Sequence, residues 1–96
     1  MADHGDAFDG KFGRLTAMML RALERRCDRA RERAALLHPT ALGRTPTGSE
    51  ASERERWLEL ERHYARAHGH VHAAGVFVHH AAVLLRRIRD DSRGTD

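Results

Sequence analysis

The 96-residue chain has one cysteine, two prolines, five Phe, Tyr or Trp side chains and no long apolar run. Each scarcity excludes something. Cys27 alone cannot form an internal disulfide, and its place in an apolar helical series indicates a buried thiol in a reducing compartment. With proline confined to Pro39 and Pro46, only the middle of the chain is broken, and a composition led by Ala, Leu, Arg and Glu favours long helices over a sheet. No segment approaches the ~18 consecutive apolar residues of a membrane span. Met1–Asp9 is acidic, not a basic stretch leading into an apolar core, so it does not read as a signal peptide. These absences lead us to expect a soluble, cytoplasmic protein with no membrane partner. A Gly-rich phosphate loop, a nucleophile elbow, an HExxH motif and paired carboxylates in an apolar setting are also missing, so we expect no enzyme and assign no catalytic residue.

What is present is periodic. Trp57, Leu60, Tyr64, Ala67, Val71, Ala74, Val78, Ala81, Leu85 and Ile88 follow one another in alternating steps of three and four. That spacing lays one narrow stripe along a single long helix, the seam of a coiled coil or bundle. The first half repeats the pattern in Leu20, Leu23, Cys27, Ala30, Ala34 and Leu37, with Phe12, Leu15 and Met19 widening its N-terminal end. Two stripes in so short a chain predict an all-α fold, a two-helix antiparallel hairpin with helices over about 10–37 and 50–90. A single layer of two helices encloses only a thin core, so we expect the hairpin to self-associate into a four-helix bundle.

In chain order, residues 1–9 read as a flexible acidic tail, residues 10–90 as the single helical domain and residues 91–96 as a second tail. Asp9 is the expected cap of the first helix and Pro39 its stop, since proline also pushes His38 out of helical geometry. The segment HPTALGRTPTGS is turn-like in composition, with Leu42 expected to fold over the end of the bundle. Ser52 with Glu55 makes a capping box for a second helix that begins near Ser49 or Ser52.

The two helices differ in length. At 1.5 Å per residue the second spans roughly 60 Å and the first roughly 40 Å, which ends the first opposite Phe77 to Val83 and leaves three turns uncovered. Those turns are apolar on more than one side, and Val76, Phe77, Val78, Ala81, Leu84, Leu85 and Ile88 form the expected protein-interaction site. A second copy is the expected partner, in a homodimer or larger homo-oligomer; the alternatives are another protein, or Phe8 and Phe12 folding over the patch within one chain. Ala67, Ala74 and Ala81 lie seven apart with Gly75 beside the middle one, predicting a close helix contact that Ala74→Leu would disrupt by overpacking.

Six of the eight histidines lie between residues 63 and 80. His68 and His72 are four apart and His72 and His79 seven apart, so His68, His72 and His79 are candidate ligands for a divalent metal such as zinc, which a dimer would complete from two chains. Solvated or seam-edge histidines are the plainer explanation, and a pH-sensitive interface is a third. The formal charge of +3 is also unevenly spread, because Lys11 to His38 carries eight basic against three acidic residues. Arg14, Arg21, Arg25 and Arg29 fall near one outer face of the first helix and are candidate nucleic-acid contacts. Glu24, Asp28 and Glu32 interrupt that face as in a solvated ion-pair surface, and no helix-turn-helix or aromatic platform accompanies it. The reading as a whole is a non-enzymatic interaction or regulatory module acting through self-association, with a basic nucleic-acid-binding accessory protein and a histidine-rich metal-binding bundle as alternatives.

Overall fold

The computed structural model describes the backbone of residues 4–94 and the side chains of residues 10–92. Within those bounds the chain is all-α: α1 spans His4–Leu36, α2 Pro39–Leu42 and α3 Gly48–Gly94, with no strand among the described residues. Both long helices exceed the expected bounds. α1 already includes Asp9, which is therefore an interior residue and not the cap. The reason is that Gly5 and Gly10 each disfavour a helix by only about 1 kcal/mol, too little to end one. α3 likewise continues through Asp90 and Asp91 to Gly94, where a tail was expected from residue 91. Met1–Asp3 and Thr95–Asp96, the ends of the two expected tails, lie outside the described residues, as does the Phe8 side chain.

The connection is more ordered than its composition suggests. α1 closes with tightened bonds from Leu37 N to Ala34 O (3.1 Å) and His38 N to Ala35 O (3.2 Å). His38 then adopts the extended geometry expected before proline, and its Nδ1 accepts from Thr40 N at 3.1 Å, capping a one-turn helix that opens on Pro39. Gly43, in the left-handed region at φ 68, ends that turn by donating to Pro39 O at 2.9 Å. Leu42 is half-buried.

The capping box of the second long helix is Thr47 with Glu50, not Ser52 with Glu55. Glu50 N donates to Thr47 Oγ1 at 3.2 Å, and Thr47 N donates to Glu50 Oε1 at 2.9 Å. Arg44 adds a two-pronged contact, Nη1 and Nη2 donating to the Glu50 carboxylate at 2.7 and 2.9 Å. With so many donors aimed at it, led by the Arg44 guanidinium, Glu50 titrates at about 2, and Arg44 is raised in turn. The same spacing, Ser52 to Glu55, recurs five residues on, but Pro46 has already ended the loop and only Thr47 sits where amides are unpaired.

α1 and α3 lie side by side. Thr16 approaches Gly75, Glu24 pairs with His68, and Cys27 and Arg31 both reach Glu61, so partners fall along α3 as they rise along α1 and the helices run in opposite directions. Because α1 starts at His4, it continues alongside α3 past Val83, and fewer turns project than the expected lengths implied. The molecule is a rod of 77 × 18 × 16 Å with a radius of gyration of 21.7 Å, against about 12 Å for a compact chain of this size. Among the described residues the fully enclosed apolar side chains are Ala30 (1% exposed), Ala34 (3%) and Ala82 (4%), and no large side chain is fully buried.

The α1 stripe packs as expected: Leu20, Leu23, Cys27, Ala30, Ala34 and Leu37 are all buried or half-buried. Phe12 joins them, but Leu15 and Met19 are exposed. On α3 the seam is turned from the expected line. Trp57, Tyr64, Val71 and Val78 border it, but its other row is Arg54, Glu61, His68, Gly75 and Ala82, whereas Leu60, Ala74, Ala81, Leu85 and Ile88 are exposed. Gly75 is the close approach: a Cβ there would stand 2.9 Å from Thr16 Cγ2, and Thr16 is itself held by donating to Phe12 O at 2.8 Å. Ala74 is exposed, so the overpacking expected of Ala74→Leu belongs to Gly75 instead.

Candidate functional site

A layer of two helices has two broad faces, and here they differ in chemistry. The first is marked by three shallow grooves. Leu23, Glu24, Cys27, Asp28 and Arg31 meet Ala65 and His68; Ala34, Ala35 and His38 meet Leu58; and Gly13, Thr16 and Ala17 meet His72, Val76 and His79. Two inter-helix polar contacts between side chains lie on this face. Arg31 Nε donates to Glu61 Oε1 at 3.0 Å while its Nη1 lies 3.6 Å from Asp28, and the Glu61 hydrogen bond leads in raising Arg31. His68 Nε2 stands 3.1 Å from Glu24 Oε1, a contact that is ionic only when the ring is protonated. The Cys27 thiol, half-buried in the seam, donates to Glu61 O at 3.7 Å.

The opposite face follows from the helical period, since residues three or four away on the other side of each seam row must lie there. From α1 it takes Phe12, Leu15, Met19 and Ala22, then Arg26, Arg29, Arg33 and Leu36. From α3 it takes Leu60, Ala67, Ala74, Ala81 and Ile88 beside the Trp57–Val78 row, with His63, His70, Phe77 and Leu84 on its outer edge. The complete stripe read from the sequence is therefore present, but it lines this face and only half of it touches α1.

The face divides along its length. The half far from the loop, bounded on α3 by Val71 and Ile88 and on α1 by Phe12 and Ala22, carries no charged residue, and Phe77 is 74% exposed within it. The half near the loop sets Arg26, Arg29 and Arg33 beside Trp57, Leu60 and Tyr64. Among the described residues none of those three arginines makes an ion pair.

Of the expected interaction residues, Phe77, Ala81, Leu84, Leu85 and Ile88 gather on the charge-free half. Val78 is half-buried at its edge, and Val76 lies on the other face, lining a groove. The candidate metal ligands are not brought together. His68 faces Glu24, His72 and His79 line the groove beside Thr16, and among the described residues no three potential ligands of one chain converge. Arg14, Arg21 and Arg25 are exposed on the side of α1 away from the apolar face, and Arg29 is exposed on that face beside Arg26 and Arg33, so the four do not form one surface. No described helix is long and apolar enough to cross a membrane. The residues that sequence reasoning missed are Glu61 as a seam residue, Arg26 and Arg33 as a charged segment, and the cap formed by Thr47, Glu50 and Arg44, whose signal is the T-x-x-E spacing; His68, expected at the seam edge, is in the seam row. The chain matches no known family model, no curated protein and no solved structure.

Proposed function

We propose that the chain is a non-enzymatic assembly module: an antiparallel helical hairpin whose apolar face pairs with a second copy to form a four-helix bundle. The observation that carries this reading is the mismatch between what is buried and what is not. Three alanines are enclosed, while Leu15, Met19, Leu60, Phe77, Leu84, Leu85 and Ile88 are exposed.

The areas agree with it. The surface of 7487 Å² exceeds by roughly 1,900 Å² what a compact chain of this mass exposes. Obligate homodimers remove area of that order from each partner. Burying such a side chain contributes roughly 1.5–3 kcal/mol, so a few on each copy are enough to hold a dimer against the entropy of association. A helix apolar on two sides is normally covered on two sides, and α1 covers only one.

Light scattering after size exclusion tests this directly. The expected mass is twice that of the 10.9 kDa chain, unchanged when zinc is added or chelated. A monomer at tens of micromolar would overturn the reading, and assembly only with zinc would transfer the function to the histidines.

A further inference from the structure

We infer that the two copies pair in a staggered antiparallel register, overlapping only through the halves far from their loops, so that the arginine segments project from both ends of the assembly. The inference rests on the proposed pairing and adds its geometry. The observation behind it is the division of the apolar face: on that face no charged residue from Val71 to Ile88 of α3 or from Phe12 to Ala22 of α1, then Arg26, Arg29 and Arg33, which make no ion pair among the described residues.

Two identical layers stacked face to face with twofold symmetry have few options. With the helices of both hairpins aligned in parallel, twofold symmetry lays each copy's α1 on the other's α3 and encloses both arginine triads at the same end of the bundle, where they are desolvated and repel. With antiparallel helices in full overlap, α1 lies on α1 and α3 on α3, so each triad is laid against the Phe12 end of the other copy's α1, which desolvates guanidinium groups on an apolar surface. The staggered antiparallel register stacks charge-free half on charge-free half and leaves Arg26, Arg29 and Arg33 in water.

The twofold axis then crosses α3 near its middle apolar residues, about Ala81, and α3 stacks on α3. Ala74 and Ala81, one heptad apart on the flank that points straight off the layer, meet that partner with small side chains and let the backbones approach, whereas Ala67 lies beyond the overlap.

Single cysteines at these three positions, in a Cys27→Ala background that removes the native thiol, read the register. Ala81 is exposed, so its replacement leaves the α1–α3 contact as it is. Under mild oxidation Ala81→Cys is expected to give disulfide-linked dimer in high yield and Ala67→Cys little, while small-angle scattering of the unmodified chain shows a maximum dimension of roughly 100 Å or more at 1.5 Å per residue, longer than the 77 Å of one rod. A dimer no longer than one rod, with Ala74→Cys crosslinking ahead of Ala81→Cys or with no variant crosslinking, overturns the staggered register and leaves the pairing itself standing. A monomer by light scattering instead removes the pairing on which the inference depends.

Discussion

The two faces of the α1–α3 layer are made from the same two helices and do opposite things. One fixes how the helices lie against each other, through Arg31 with Glu61, His68 with Glu24 and the Cys27 thiol on the Glu61 carbonyl. The other makes few demands on the single chain and leaves Phe77, Leu84, Leu85 and Ile88 in water. The lesson is that the polar side of a thin layer can set register while the apolar side stays exposed, open to the pairing proposed above. Polar contacts suit the first task because they are directional, whereas apolar area supplies most of the free energy of association.

The widest separation of the two faces comes from charge placed on the apolar one. Phe77→Asp with Leu84→Asp is expected to weaken self-association at least about 100-fold, since each loses roughly 1.5–3 kcal/mol of burial. Sedimentation equilibrium measures this, and an unchanged dimer would mean the face is not the interface.

Next in size is the close approach at Gly75. Gly75→Leu drives a side chain into Thr16 and is expected to destabilise by about 1–3 kcal/mol, lowering Tm at every protein concentration. Ala74→Leu changes the outer face only, so any shift it produces should vary with concentration. Circular dichroism melts across a hundredfold dilution distinguish the pair, and equal concentration-independent losses would return the seam to the line first read from the sequence.

How far the sequence reveals this arrangement depends on the residue. The α1 series from Leu20 to Leu37 was fully legible, because one stripe there has one partner. On α3, the Trp57–Val78 row belongs to two overlapping stripes, one completed by Leu60, Ala67, Ala74 and Ala81 and the other by Arg54, Glu61, His68, Gly75 and Ala82. Periodicity selects the more apolar of the two, yet α1 rests on the other, where Glu61 and His68 are half-buried and partnered by Arg31 and Glu24. Those partners are 30 and 44 residues away in sequence, and no local pattern contains them. The split of the apolar face into charge-free and arginine halves was readable only in part, because Arg26 and Arg33 acquire meaning once the seam fixes which flank they occupy.

A smaller effect belongs to the polar face. Arg31→Ala should lower Tm by less than Gly75→Leu, because the Arg31 side chain is 63% exposed and such pairs contribute little. It should leave the oligomer intact, and dissociation of the dimer would show that the faces are not independent.

The smallest lies at the loop. Glu50 titrates at about 2, below its ordinary 4.5, so its contribution is fully present above pH 4.5 and is lost as the pH falls toward 2. Glu50→Gln should therefore melt below the parent at pH 7 and together with it near pH 2. A gap that persists at pH 2 would assign the stabilisation to something other than the carboxylate.

A core of Ala30, Ala34 and Ala82 has one more consequence. A chain that encloses so little by itself has, under the pairing proposed above, no well-separated folding and assembly steps, and its apparent stability moves with its own concentration by mass action. Dilution would act on it as heat acts on an ordinary domain. The abundance of the protein thus becomes a control on its shape, with scarce copies opening and exposing their helices to proteolysis while plentiful ones protect one another.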